Sequence, residues 1–154
     1  MTVPVAFSGA FSVVLPRSIA DAIVAQAWEE LPNEACGLVI GSAPAVAGGV
    51  ALRYEACRNA AASPVRYTID SDDLIRLAIA VDDADEVFWG IVHSHVASPA
   101  VPSPTDIGLA YYPEALHLLV SLARDQADLV TGRPSLRAWE IVEGVVHEVA
   151  LEIT

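Results

Sequence analysis

Apolar residues recur along this chain with two different periods, and the switches between them outline a fold. After Pro16, the residues Ile19, Ile23, Ala27 and Leu31 fall at i, i+4 spacing, with Val24 and Trp28 widening the stripe. That pattern predicts a helix, and Pro32 stops it. Residues 36–40 and 50–57 are short apolar runs of strand type, and residues 66–69 read as a third, shorter strand. Ser71 is the expected N-cap of a second helix, with acidic residues at 72 and 73 favourable at its start. Leu74, Leu77, Ala78 and Val81 supply that helix's buried face. Residues 87–92 form a fully apolar strand running directly into His93, and residues 116–122 form another. Residues 136–142 and 145–153 make a hairpin across Glu143-Gly144. Strands interleaved with two long helices and one short one indicate an α/β protein with a mixed sheet. No repeat or low-complexity linker interrupts the pattern, so residues 1–154 are read as a single domain.

Composition narrows the possibilities. A chain of 154 residues with 54% hydrophobic content suits one substantial core. Twenty acidic against eight basic residues give a formal charge of −12. Such a surface repels phosphate backbones and anionic lipids, which argues against nucleic acid or a membrane as partner. The uncharged stretch 35–52 is as long as a membrane span, but Pro44 and glycines 37, 41, 48 and 49 fit two buried strands around a turn instead. Residues 1–15 are apolar without a basic n-region or a cleavage site, so no signal peptide is read and a cytoplasmic location is expected. Cys36 and Cys57 form no Cys-x-x-Cys pair, and the default reading is two reduced thiols serving packing. Asp82, Asp83, Asp85 and Glu86 read as a solvated helix end.

The candidate chemistry lies where the 87–92 strand ends. His93 and His95 stand at i, i+2, a spacing that puts both imidazoles on one face of a strand. The following loop, with two prolines, returns to Ser103-Pro104-Thr105-Asp106. Ser as N-cap, Pro at N1 and an acid at N3 begin a short helix and hold Asp106 in its first turn. Two His and one Asp are first-choice ligands for a divalent metal such as Zn2+, and three protein ligands leave one position for water. His117, in an apolar strand, is expected to be a hydrogen-bonded core or edge residue, and His147 an exposed residue of the last hairpin.

The string His-x-His, seven residues, Ser, two residues, Asp resembles the core of the JAMM (MPN-plus) metalloproteases, which cleave bonds at the C-termini of ubiquitin-like proteins. The likeness extends over roughly residues 13–153. It includes Asn59, the Ser63-Pro64 and Arg66-Tyr67-Thr68-Ile69 segments, and the strand His117-Leu118-Leu119-Val120-Ser121-Leu122. It implies an α/β/α sandwich around a mixed, curved sheet, similar to that of cytidine deaminases. The deaminase signature itself, His-x-Glu with Pro-Cys-x-x-Cys, is absent. The resemblance also implies roles. His93, His95 and Asp106 would hold zinc, and Glu34, just ahead of a glycine-containing strand, would pass a proton from the attacking water to the leaving amine. Ser103 would donate to the developing oxyanion, while Ser94 points to the opposite face and is read as structural. Similarity is greatest to small actinobacterial members of the Mec type, which act on a CysO-like sulfur carrier. The expected partner is therefore a ubiquitin-like sulfur carrier with a Gly-Gly C-terminus, bearing cysteine or a similar adduct. The alternatives are an isopeptidase on other ubiquitin-like conjugates or peptide tags, and a non-catalytic MPN scaffold. The oligomeric state stays open, a homodimer included. One departure is visible: the residue after the second His is usually Pro in this family and is Val96 here, which bears on loop rigidity.

Overall fold

The computed structural model describes residues 11–108 and 112–154, so the reading of the N-terminal segment falls outside it for residues 1–10. The strands are β1 (Ser12–Leu15), β2 (Cys36–Gly41), β3 (Ala51–Cys57), β4 (Val87–His95), β5 (Leu116–Ser121), β6 (Ser135–Val142) and β7 (Val145–Ile153). They form one sheet in the order β1-β7-β6-β5-β4-β2-β3. The pairs β4–β5 and β1–β7 are parallel and the others antiparallel, so the sheet is mixed as the alternation of elements predicts.

A helix covers each face. Helix α1 (Arg17–Glu29) packs Ile19, Ala20, Ile23 and Ala27 against Val39, Trp89, Val92, Leu118 and Val120. Helix α2 (Ser71–Asp83) lays Leu77 and Val81 over Cys36, Leu38, Ile40 and Ile91. Alternation along β2 sends Val39 to one layer and Leu38 and Ile40 to the other. With both faces covered, β2 and β5 are buried at every position, which is why they read as largely apolar runs, broken in β5 by His117 and Ser121. A third, five-residue helix, α3 (Pro104–Gly108), follows the β4 loop. Gly37 permits the close approach of the Tyr54 ring, which a Cβ there would block. Glu143 and Gly144 both have positive φ, 51° and 77°, as a two-residue type I′ hairpin requires. Among the described residues no helix is long and apolar enough to cross a membrane.

Several local expectations need correction. Helix α1 ends at Glu29, so Leu31 lies beyond it and is 40% exposed; Trp28, at the stripe's outer edge, is 50% exposed. The N-cap of α2 is Asp70 rather than Ser71, because the Asp70 carboxylate sits three residues before the Asp73 N–H and accepts from it at 3.2 Å. Ala78 faces solvent with Ile75 and Ile79, since α2 touches the sheet along the narrow Leu77–Val81 stripe. Residues 66–69 make only an isolated bridge, Ile69 to Asn59, because the Asn59 side chain takes the backbone groups of Arg66 and Thr68. Strand β1 is hidden in the sequence: of its two outward positions, Ser12 and Val14, the second is apolar, so the alternation is lost. The acidic cluster is exposed as expected at Asp82, Asp83 and Asp85, whereas Glu86 forks with the Arg53 guanidinium at 2.9 and 3.1 Å. Cys36 lies directly opposite Cys57 on β3, and both are free and buried. Burial pushes both thiols up, Cys57 to about 12, which suits packing and disfavours reactivity.

Candidate metal centre

Strand β4 ends in the cluster. His93 and His95 share one face with their Nε2 atoms 3.2 Å apart. Ser94 points the other way, and its Oγ accepts from the Ala35 N–H at 2.7 Å while its own N–H donates to Ala35 O at 3.0 Å. That double bond ties β4 to the residue following Glu34. Asp106 arrives in the first turn of α3 through a reciprocal cap. Its N–H donates to Ser103 Oγ at 3.1 Å, and its Oδ2 accepts from the Ser103 N–H at 2.8 Å. Between β4 and α3 the chain is pinned at three successive carbonyls. Pro99 O meets His95 Nδ1 at 2.7 Å, Ser98 O accepts from Ser121 Oγ at 2.6 Å, and Ala100 O accepts from Trp139 Nε1 at 2.9 Å. Those bonds hold the loop without a proline at position 96.

Three ligand atoms close a triangle. His93 Nε2, His95 Nε2 and Asp106 Oδ2 lie 3.2 Å from one another along every edge. A tetrahedral ion with bonds of about 2.0–2.1 Å separates its ligand atoms by roughly 3.3–3.4 Å, so the triangle fits such an ion almost without adjustment. The residues are 0%, 5% and 5% exposed, which closes the site on its protein side. Because Pro99 O accepts the Nδ1 proton of His95, the Nε2 lone pair faces the Asp106 carboxylate, acceptor against acceptor. Only a proton or a metal cation relieves that opposition. Burial drives His93 down from the ordinary histidine value, towards the neutral form a metal needs. Burial also acts to raise the Asp106 carboxyl, but where protons stand on the two Nε2 atoms in a metal's place, their hydrogen bonds from His93 and His95, with that from the Ser103 N–H, outweigh burial and hold the group well below the usual carboxylate range.

Glu34 stands beside this triangle, 3% exposed, with Oε1 meeting no partner among the described residues. Burial raises its carboxyl to about 7, with the His95 charge opposing and the Asp106 charge adding to the shift. Its backbone is clamped: the N–H donates to Ser63 O at 2.9 Å and the carbonyl accepts from Asn59 Nδ2 at 3.0 Å. Asn59 makes four bonds with one amide, to Glu34 O and Arg66 O and from the Ala61 and Thr68 N–H groups. The same side chain therefore fixes Glu34 and the segment carrying Tyr67. The Tyr67 ring stacks on His93, centroids 4.3 Å apart and planes 19° apart.

The structure thus brings His93, His95, Asp106, Ser103 and Glu34 to one end of β4. Sequence reasoning assigned no role to Tyr67, Asn59 or the Pro99 carbonyl. An Asn in an Ala- and Ser-rich loop looks like an ordinary turn residue, and an aromatic residue far from a ligand in sequence gives no sign of stacking on it. His117 is buried as expected but has no hydrogen bond at either ring nitrogen among the described residues. His147 is half-exposed, opposite Glu140 in the last hairpin.

Residues 16–142 match the family model described as prokaryotic homologs of the JAB domain. The chain is 38% identical over 138 residues to the CysO-cysteine peptidase of Mycobacterium tuberculosis, covering 90% of this chain and 88% of that protein. It is 32% identical over 106 residues to a desampylase of Haloferax volcanii, covering 66% of this chain and 74% of that one. Among solved structures, a Desulfitobacterium hafniense protein superposes with a TM-score of 0.76 at 27% identity, covering 92% of each chain.

Proposed function

This chain belongs to the prokaryotic JAB-domain family, and on that premise we propose that it is a zinc-dependent JAMM-type peptidase that removes the C-terminal adduct of a ubiquitin-like sulfur carrier. One observation carries the reading. Three buried ligand atoms form a triangle sized for a tetrahedral ion, beside a buried carboxylate whose Oε1 meets no partner among the described residues. A non-catalytic MPN scaffold has no need of either feature.

His93, His95 and Asp106 would hold the ion. When bound, Zn2+ supplies a Lewis acid that polarises the scissile carbonyl and brings the pKa of water towards about 7. Glu34 then moves the proton: it accepts one from the attacking water and delivers it to the nitrogen as the C–N bond breaks. Its Oε1, which meets no partner among the described residues, is free for both halves of that task. Ser103 Oγ accepts from the Asp106 N–H, and its hydroxyl proton would be donated to the developing oxyanion.

The 38% relative named a CysO-cysteine peptidase supports a carrier–cysteine adduct as substrate. A site at the end of a sheet strand suits an extended tail, with backbone hydrogen bonds giving affinity. A Gly-Gly terminus would suit the last step, because a tail without side chains needs the least clearance beside the pinned 98–100 segment. An apolar cavity of about 210 Å³ lined by Leu38, Tyr67, Ile69, Leu74, Ile91 and Tyr112 adjoins the ring that covers His93, with room for one apolar side chain of that tail. The desampylase relative favours a second reading, cleavage of whole ubiquitin-like conjugates. Incubation with a carrier–cysteine adduct, an isopeptide-linked conjugate and an unfolded protein, each followed by intact mass, separates these readings. Cysteine release from the adduct alone is expected. An inert adduct with a cleaved conjugate would transfer the assignment to the second reading.

A further inference from the structure

Three buried nitrogens on the face that carries the cluster have no protein partner among the described residues: His93 Nδ1 and both ring nitrogens of His117. His117 is 1% exposed and His93 is 0% exposed, so neither ring reaches bulk water. Buried polar atoms in folded proteins almost always find a partner, from the protein or from an ordered water. The contrast with His95 sharpens the question, since its Nδ1 is taken by Pro99 O at 2.7 Å. A histidine that ligates a metal through one ring nitrogen ordinarily donates the other to an acceptor, which fixes its tautomer and its orientation. Among the described residues no side chain or carbonyl does this for His93.

The sheet register brings the three nitrogens into one neighbourhood. Across the parallel β4–β5 pair, His117 lies opposite Ile91 and His93 opposite Leu119. His117 is thus the diagonal same-face neighbour of His93, one strand over and two residues along, which sheet spacing puts at about 8 Å between Cα atoms. Two hydrogen bonds through one water span about 5–6 Å between heavy atoms, a length that rings on such a diagonal can meet. Trp139, opposite His117 on β6, and Leu119 supply apolar walls beside it. Burial also pushes His117 down to about 4, leaving the ring neutral, with one nitrogen able to accept and the other to donate.

We propose that a buried water bridges His93 Nδ1 to His117, making His117 a positioning residue that fixes the tautomer and orientation of the metal ligand His93. The inference rests on the metal reading of His93, His95 and Asp106. The water accepts the Nδ1 proton of His93 and donates one of its own to His117, so the Nε2 lone pair of His93 stays directed at the ligand triangle. A purely structural buried histidine would do none of this, and its removal would leave the triangle untouched.

The test measures zinc affinity by competition with a chromogenic chelator, together with thermal midpoints of the metal-free proteins, for wild type, His117→Leu and His117→Gln. His117→Leu should remain folded yet bind zinc 10–100-fold more weakly, the usual loss when the partner of a metal-bound histidine is removed. His117→Gln, whose amide can hold the water, should recover a substantial part. Wild-type affinity in a folded His117→Leu would overturn the bridge, because a merely tolerated imidazole can be replaced by an apolar residue at no cost to the site. Should that variant fail to fold, a high-resolution crystal structure of the wild type decides: a water within hydrogen-bond distance of both His93 Nδ1 and His117 supports the bridge, and a dry contact overturns it. A wild type that takes up no zinc would sink the metal reading itself, and the crystallographic water would still decide for or against the bridge.

Discussion

The Tyr67 ring lies nearly flat on the imidazole of His93, 4.3 Å between centroids. One face of the most enclosed ligand is therefore set by an aromatic plane. An offset aromatic pair contributes about 0.5–1.5 kcal/mol beyond its buried area. Tyr67→Leu should accordingly weaken zinc binding about three- to tenfold in a chelator competition, while Tyr67→Phe keeps it. Equal affinities across the three proteins would remove any bracing role.

Wild-type protein purified without chelators should carry about one zinc per chain by atomic absorption. His95→Ala and Asp106→Ala each break the 3.2 Å triangle and should lose the metal. A metal-free wild type would end the metal-centre reading.

Glu34→Gln keeps the shape of the side chain but cannot take a proton, so it should retain zinc and lose nearly all turnover. A second effect has a definite sign. The Glu34 carboxyl is raised to about 7 by burial, so between its unfolded value and 7 the native chain binds more protons than the unfolded one. In the metal-free protein this makes stability fall as pH rises through that window. Urea unfolding above pH 7 should find metal-free Glu34→Gln more stable than metal-free wild type. If the variant is the weaker of the two there, or stays near wild-type activity, the assigned base is wrong.

Ser103→Ala should keep its zinc and lose roughly 2.7–4 kcal/mol in the chemical step, the usual loss of one oxyanion donor. The same hydroxyl accepts from Asp106 N–H, so a stability loss of about 0.5–2 kcal/mol is expected alongside. Zinc content and thermal midpoint, measured with the rate, separate the two. A rate loss matched by zinc loss leaves no oxyanion role.

Much of this architecture was legible in the chain because the central strands are enclosed on both faces and the His-x-His, Ser and Asp spacing is set by a strand end and a helix cap. What escaped was of two kinds. β1 and the Leu31 and Ala78 positions were misjudged because apolar residues there face outward, and only neighbouring elements decide which side is covered. Tyr67, Asn59 and the Pro99 carbonyl act on residues distant in sequence or through the main chain, and neither kind of contact has a local pattern. Glu34 is a middle case, since burial gives it its character but only the family likeness distinguished it from other carboxylates.

The three pinned carbonyls between β4 and α3 bear on how an ion would come and go. With Ser98, Pro99 and Ala100 each committed to a different partner, the loop loses its conformational freedom when the chain folds, not when a metal arrives. Stripping the ion should therefore leave the protein's shape intact, so that loading and unloading become a reversible exchange of protons for metal at a standing template. Loading such a site would then require no refolding of the chain.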